Sequence, residues 1–412
     1  MKFRDILNNC GPGMVVAATG LGAGDIVAAA VAGAEYGTTL LWAVVVGGLL
    51  KFCLNEGIGR WQLVTGTTLL EGWITHLPKF ITGYFFLYLL FWSFMVSAAM
   101  MAATGLAAYA LWPVFSVTTW GILHAVVTFV IVWNGAWRLI EVLQKAFMAL
   151  MFVTVLVCAA LVLMDTPGVL SGLFRPGLPD GSLTSVFSVM GGVGGSVTLM
   201  SYGYWMQEAG WKGQERMQTM RWDLGIAYGL TTLFAMAIVV LAAGIKPEVV
   251  SGNNMAVALA EQLVPYTGPI GKWLFLWGFW GAVASSILGV WQGVPYLFAN
   301  FLIHYWPGSL AQRKPTPVLA NSNSITRTPA YRWYLTALCF LPMPLLVFGR
   351  PVWIVVLYAV TGAFFMPLLA TLLLYLNSPR WLGQASNGRV MQACLWLCLA
   401  LFGYLLFTAP SA

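Results

Sequence analysis

Long apolar stretches, separated by short polar connections, follow one another along almost the whole chain. A helix needs about 20 apolar residues to cross the ~30 Å hydrocarbon core of a bilayer. Eleven stretches are long enough, so the pattern predicts an all-α integral membrane protein with eleven transmembrane helices. The predicted spans are residues 13–34, 38–60, 80–111, 118–135, 144–164, 184–207, 222–245, 273–303, 331–349, 352–377 and 390–408.

Glycines interrupt the first and the sixth of these spans. They are Gly20, Gly22 and Gly24 in span 1, and Gly191, Gly192, Gly194 and Gly195 in span 6. An unwound helix at membrane depth frees backbone groups, which lipid cannot satisfy but a bound solute or ion can. Breaks at corresponding places in two halves of a chain indicate a transporter with inverted repeats. The alternative is that these glycines only let helices pack closely.

The position of the two breaks predicts how the chain is organised. Residues 1–412 would form a single transmembrane domain, with spans 1–5 (13–164) and spans 6–10 (184–377) as the inverted repeats. Span 11 (390–408) would be an additional helix.

Composition agrees with a membrane protein, and charge predicts its orientation. Hydrophobic residues make up 60% of the chain and charged residues 8%, which are too few charges for a soluble protein of this size. The net charge of +7 does not indicate nucleic acid binding, because the basic residues are scattered through loops. With the N-terminus inside, the cytoplasmic segments hold fifteen of the 20 Lys and Arg residues and the outer segments four. The positive-inside rule therefore predicts a multi-pass protein of the cell membrane, with a cytoplasmic N-terminus and an external C-terminus.

Two ionisable residues inside the spans, Asp25 and Lys51, are candidate functional residues. An ionisable side chain at the bilayer centre costs from about 2.5 kcal/mol upward, so it indicates a functional site. Asp25 lies within the glycine run of span 1, and Lys51 lies in the middle of span 2. A lysine at that depth pairs with a carboxylate or faces a wet cavity. Asp25 is the favoured partner, and Glu56 is the other candidate.

Seven segments of the chain resemble a known family. They are GPGMVVAATG (11–20), AGAEYGTTLLW (32–42), NEGIGRWQLVTG (55–66), RLIEVL (138–143), DLGIA (223–227), SSILGVWQGVPYLFANFL (285–302) and ALCFLP (337–342). The family is that of the NRAMP-type divalent metal transporters, and the resemblance extends over spans 1 to 10. It implies the LeuT-type fold, a 5+5 inverted repeat with interrupted helices 1 and 6.

The chain departs from this family at the metal site. The family's span-1 motif, Asp-Pro-Gly-Asn, falls on residues 22–25, and its span-6 motif, Met-Pro-His, falls on residues 199–201 or one residue later. The first aspartate, the proline and the histidine are absent, which implies a divergent branch that lacks the usual metal-binding motifs. The candidate substrate-binding residues are Gly22, Gly24, Asp25, Lys51, Leu199, Met200, Ser201 and Tyr202.

Two functions agree with these residues. The first is secondary transport of a divalent metal cation, with Asp25 as the metal ligand beside freed carbonyls of Gly22 and Gly24. Such oxygen ligands favour hard ions such as Mg²⁺ or Mn²⁺. The alternative is transport of a small organic solute or anion on the same scaffold, with no metal-ion transport. Lys51 would then supply a positive charge, and Ser201 and Tyr202 would supply hydroxyl groups.

An enzyme is not expected. The three histidines (His76, His124 and His304) show neither the arrangement of a catalytic triad nor zinc-ligand spacing. We expect no cofactor. The expected partners are the transported ion or small solute and membrane lipid, with no nucleic acid.

Overall fold

The computed structural model describes residues 11–20, 22–134, 138–163, 165–192, 194–245, 247–250, 252–305, 325–348 and 350–408. Helices account for most of these residues, and no strand occurs within the described ranges. The α-helices are α1 (Pro12–Gly20), α2 (Ala23–Tyr36), α3 (Leu41–Thr65), α4 (Leu69–His76), α5 (Lys79–Leu111), α6 (Val117–Asn134), α7 (Arg138–Val162), α8 (Val169–Phe174), α9 (Leu183–Gly192), α10 (Ser201–Glu208), α11 (Met217–Ala242), α12 (Pro247–Val250), α13 (Met255–Glu261), α14 (Val264–Tyr305), α15 (Pro329–Phe340), α16 (Pro351–Ala363), α17 (Phe365–Leu376), α18 (Pro379–Leu382) and α19 (Arg389–Thr408). Short 3-10 helices lie at Val197–Met200, Gln214–Arg216, Met343–Phe348 and Gly383–Ala385.

Within the described ranges, nine helical segments are long and apolar enough to cross a membrane. Predicted span 1 is divided between α1 and α2, which have 9 and 14 residues. In α7, the residues Ala149–Val162 form a shorter apolar helix. The all-helical membrane fold is therefore confirmed, whereas the number of eleven spans stays a prediction.

The helices at predicted spans 8 and 10 differ from the prediction. Helix α14 begins at Val264, earlier than the predicted start at residue 273, and it is bent at Gly268, where φ is 66°. This left-handed conformation suits glycine, and the proline that follows is tolerated because it begins a new helical turn. Predicted span 10 consists of two helices, α16 and α17, that meet at Phe364. Its apolar sequence carries no signal of this break.

The loop between α3 and α4 shows how local sequence sets the ends of helices. Gly66 follows the last residue of α3 with a φ of 76°, and its N–H donates to the carbonyl oxygen of Gln62 at 2.8 Å. This is the glycine cap by which many helices end. Helix α4 begins after Thr68, whose Oγ1 accepts a hydrogen bond of 3.2 Å from the backbone N–H of Glu71.

The interrupted spans lie inside the packed helices. Helix α2 contacts α9, α11 and α16, and α9 also contacts α3 and α16. Asp25 on α2 and Lys51 on α3 are fully buried among these helices. The described residues of the breaks, Gly22 and Gly194 to Ser196, are buried as well. Enclosure by protein is the condition under which unwound backbone is tolerated at membrane depth.

Candidate functional site

The first break lies between the end of α1 at Gly20 and the start of α2 at Ala23. Asp25 is in the first turn of α2, and its Oδ2 accepts a hydrogen bond of 3.4 Å from the backbone N–H of Gly22. A carboxylate in this position satisfies an N–H that the helix leaves unpaired and interacts favourably with the positive end of the helix dipole. The acid of span 1 therefore stabilises the start of its own half-helix.

The second break follows the end of α9 at Gly192. Gly194 and Gly195 have φ values of 72° and 82°, a left-handed backbone conformation that residues other than glycine rarely adopt. The backbone N–H of Gly194 donates a hydrogen bond of 3.0 Å to Oδ1 of Asp25. One carboxylate thus accepts hydrogen bonds from both breaks.

Glycine lets the two breaks approach each other closely. A Cβ atom on Gly24 would lie 3.2 Å from the Cα of Gly192, and one on Gly192 would lie 2.7 Å from the carbonyl oxygen of Gly24. The second distance is too short for a side chain unless the backbone moves, and the first is a tight contact that leaves little room for one. The glycines of the two breaks therefore serve close packing as well as unwinding. We call the contact region of Gly22, Gly24, Asp25, Gly191, Gly192 and Gly194 the junction.

Lys51 enters the junction from α3. Its Nζ donates a hydrogen bond of 2.7 Å to the carbonyl oxygen of Gly191, and its side chain is fully buried. This carbonyl belongs to the last turn of α9, where carbonyls lack partners within the helix and the dipole favours a cation. Lys51 and Asp25 also attract each other electrostatically. Asp25 is the partner that the sequence favoured for Lys51.

Glu56, the other candidate partner of Lys51, binds two arginines. Its Oε1 accepts hydrogen bonds of 2.5 Å from Nη2 of Arg60 and 2.9 Å from Nε of Arg221. Its Oε2 accepts one of 3.3 Å from Nε of Arg60. Glu56 is therefore part of a separate ion-pair cluster.

Further polar and aromatic side chains around the junction gave little signal in the sequence. Trp92 Nε1 donates a hydrogen bond of 3.0 Å to Oγ of Ser196. The Nδ2 of Asn55 donates one of 3.1 Å to the hydroxyl of Tyr228, and a Cβ atom on Gly194 would lie 2.7 Å from that tyrosine ring. These residues come from four different predicted spans, so nothing in their spacing brings them together. Their common feature is a polar group buried in an apolar helix.

The span-6 candidates lie just past the break, and all four are buried. Leu199 and Met200 belong to the 3-10 helix that leads into α10. Ser201 faces α14, since a Cβ atom on Gly293 would lie 3.3 Å from its Oγ. The Tyr202 hydroxyl donates a hydrogen bond of 3.1 Å to Oδ2 of Asp223.

The structure thus brings part of the predicted set together. Gly22, Gly24, Asp25 and Lys51 meet at the junction, together with backbone groups of α9 and the residues after it. The described contacts of Ser201 lead to α14, and those of Tyr202 lead to α11 and to Gly59 on α3, eight residues beyond Lys51. A role of these two residues in binding stays a prediction.

Few side chains could bind a metal at this position. Within the described ranges, no group of three or more His, Cys, Asp and Glu side chains is arranged to hold a metal ion. A cation in the junction would be bound by the Asp25 carboxylate and by backbone carbonyl oxygens, a donor set that suits hard cations. His124 has a structural role elsewhere, because its Nδ1 contacts the Trp120 carbonyl oxygen at 2.8 Å and its Nε2 accepts from Trp280 at 2.9 Å.

Comparison with solved structures shows the fold. A mutant of the manganese transporter of Eremococcus coleocola aligns with a TM-score of 0.68 at 14% sequence identity, covering 98% of this chain and 86% of that one. The crystal structure of MhsT in complex with L-phenylalanine aligns with a TM-score of 0.64 at 17% identity, covering 96% of this chain and 98% of that one. The structure is thus similar to the LeuT-type fold, with interrupted helices 1 and 6. Comparison with curated proteins finds no match.

The family model described as natural resistance-associated macrophage protein-like (Nramp) matches residues 13–408. This family consists of membrane transporters for divalent metals, in which the metal ion is the transported substrate and no cofactor takes part. Nearly the whole described chain lies within the match, so the resemblance seen in its sequence motifs is confirmed. The chain belongs to the Nramp family.

Proposed function

We propose that this protein is a secondary transporter that carries a divalent metal cation through the junction, with Asp25 as the metal ligand. The observation that carries the proposal is the fully buried Asp25 carboxylate, placed where the two interrupted spans meet. Ionisable groups at such a depth mark ion pathways, and interrupted helices offer freed carbonyls as further ligands. The carbonyls of Gly22 and Gly24, which the sequence suggested, are not freed by the break, because the Gly22 oxygen accepts a hydrogen bond of 3.1 Å from the N–H of Ile26 and Gly24 lies within α2. The Gly191 carbonyl at the end of α9 is therefore the first candidate.

The proposed cargo is a hard cation such as Mg²⁺ or Mn²⁺. By the resemblance, the family's methionine and histidine fall on Leu199 and Ser201 or, with a shift of one residue, on Met200 and Tyr202. With no imidazole and at most one thioether, that of Met200, the ligands are mainly oxygen atoms, which discriminate less in favour of soft metals such as Cd²⁺. The proposal therefore places this chain apart from relatives that use sulfur.

Orientation and repeat structure are parts of the same proposal. Residues 13–164 and 184–377 would be the inverted repeats of a single domain, and residues 390–408 would be the added helix. The excess of Lys and Arg in alternate loops supports a cytoplasmic N-terminus and an external C-terminus.

A second candidate function is transport of a small organic solute or anion. The observation in its favour is the Lys51 ammonium at the Gly191 carbonyl, because a resident cation opposes a dication and attracts an anion. The buried hydroxyls of Ser196 and Tyr228 lie close by and could hydrogen-bond a polar solute. Metal uptake by reconstituted protein distinguishes the two candidates.

The test is uptake into proteoliposomes with purified wild-type protein, Asp25→Asn and the control Asp180→Asn. Asp180 is an exposed loop acid, so its variant makes the same chemical change outside the junction. We expect wild-type and control protein to take up Mn²⁺, and Asp25→Asn to lose at least about tenfold in rate because the amide is a weaker metal ligand. We also expect Mg²⁺ to inhibit Mn²⁺ uptake, and the ratio of Mg²⁺ inhibition to Cd²⁺ inhibition should be higher than for a transporter whose site contains sulfur. Undiminished uptake by Asp25→Asn would remove Asp25 from the pathway, and no metal uptake by folded wild-type protein would favour the second candidate.

A further inference from the structure

The Lys51 ammonium has the surroundings of a bound cation. It lies 2.7 Å from the Gly191 carbonyl oxygen, in the last turn of α9, and it is fully shielded from solvent. Carbonyls at the C-terminal ends of interrupted helices are the groups that coordinate monovalent cations in transporters with broken helices. Here a side chain of the protein itself supplies the positive charge.

Lys51 and Asp25 together satisfy the backbone on both sides of the second break. Lys51 donates to the carbonyl of Gly191 before the break, and Asp25 accepts from the N–H of Gly194 after it. Unsatisfied backbone groups at membrane depth cost several kcal/mol each, so the two side chains stabilise the unwound segment without a bound solute. A carboxylate and an ammonium at the same site carry opposite charges, so together they add no net charge to the interior.

The neighbouring acids are committed to other partners. Glu56 accepts hydrogen bonds from Arg60 and Arg221, and Asp223 accepts from the N–H of Gly13 at 2.6 Å and from Tyr202. The single negative charge of Asp25 therefore balances either the Lys51 ammonium or a transported cation. A dication beside the retained ammonium would leave a large excess of positive charge in a buried site, where Coulomb repulsion is strong.

We propose that Lys51 is a tethered cation that occupies the cation position of the resting junction and competes with the transported ion for Asp25. A divalent cation binds only when the ammonium withdraws from the Gly191 carbonyl. Lys51 is thus a specificity-determining residue. It keeps the junction closed without cargo, and only a cation that interacts with Asp25 more strongly than the ammonium does can displace it. This inference rests on the proposed function in that it takes the cargo to be a cation.

The test measures Mn²⁺ binding by calorimetry in detergent for wild-type protein, Lys51→Met, Lys51→Gln, Lys51→Arg and Asp25→Asn. Methionine removes the charge at similar length, and glutamine removes the charge while keeping an N–H donor for Gly191. We expect Lys51→Met and Lys51→Gln to bind Mn²⁺ at least about tenfold more tightly than wild-type protein, because repulsion is removed. Lys51→Arg keeps the charge and should bind no more tightly than wild-type protein.

Thermal unfolding provides a second measurement that does not depend on transport. Without metal, Lys51→Met should unfold at a lower temperature than wild-type protein, and Mn²⁺ should raise its unfolding temperature more than that of wild-type protein. Lys51→Gln keeps a polar contact to Gly191, so it preserves the test if the methionine variant fails to fold.

The outcomes separate this inference from the proposed function. If Mn²⁺ affinity is the same in wild-type protein and both neutral variants, while Asp25→Asn abolishes binding, the tethered-cation inference is wrong and the proposed function stands. If wild-type protein binds no Mn²⁺ but the neutral variants do, Lys51 blocks the site and metal transport by the natural protein is refuted. If none of the folded proteins binds Mn²⁺, both are wrong.

Discussion

Helix α3 carries two sites of buried charge that are built in different ways. At Glu56, the carboxylate is held by two arginines, and Arg60 also donates to the carbonyl oxygens of Ala385 and Ser386 at 2.9 and 3.2 Å. At Lys51, five residues earlier on the same helix, the ammonium donates to a backbone carbonyl of a broken helix. Both charged groups are fully buried, so burial alone does not distinguish them.

The two sites differ in whether an incoming ion could replace one of their contacts. In the Glu56 cluster, oppositely charged side chains form ion pairs, and the planar guanidinium of Arg60 binds both carboxylate oxygens. An incoming ion therefore has no available ligand there. At the junction, the charges face backbone groups freed by unwinding, which an ion or solute can also bind. We infer that the Glu56 cluster is structural and that the junction is the exchangeable site.

The largest effect on stability should come from Glu56→Gln. This change leaves the guanidinium of Arg60, whose side chain is 6% exposed, without its carboxylate. Breaking a buried pair from one side costs about 3 to 5 kcal/mol, so we expect a markedly lower unfolding temperature in detergent. The control is Glu261→Gln, which breaks the exposed pair with Lys272 and should change stability by less than about 1 kcal/mol. Equal effects of the two variants would contradict a structural role for the Glu56 cluster.

An intermediate effect is expected from Asp223→Asn. Like Asp25, Asp223 accepts from a backbone N–H of span 1, but its described partners are Gly13 and Tyr202 rather than the junction. Loss of the charge weakens hydrogen bonds that are worth about 1.5 to 3 kcal/mol, so the unfolding temperature should fall. Mn²⁺ affinity measured by calorimetry should stay near that of wild-type protein, whereas Asp25→Asn should lose it. A loss of affinity in Asp223→Asn comparable to that in Asp25→Asn would extend the site to the start of α1.

The sequence predicted the scaffold more closely than the chemistry of the junction. Apolar runs placed α5 and α19 within one residue of their observed starts, because a membrane span is defined by its length and hydrophobicity. The glycine runs predicted both breaks, because glycine within an apolar span allows the helix to unwind. The carbonyl that binds Lys51 could not be predicted, because every residue has a backbone carbonyl and only the fold selects Gly191. The break at Phe364 was missed because the apolar residues around it are equally typical of a continuous helix.

The smallest effect is expected from Arg221→Gln, and it tests how the Glu56 cluster divides its work. The Arg221 side chain is 42% exposed and donates one hydrogen bond to Glu56, whereas the Arg60 side chain is 6% exposed and donates two. Water therefore screens the Arg221 pair, and such pairs contribute about 0 to 1 kcal/mol. The unfolding temperature of Arg221→Gln should be close to that of wild-type protein and well above that of Arg60→Gln. If Arg221→Gln is as destabilising as Arg60→Gln, the two arginines act as one buried unit. The cluster would then bind α3 to α11 as firmly as it binds α3 to the residues after α18.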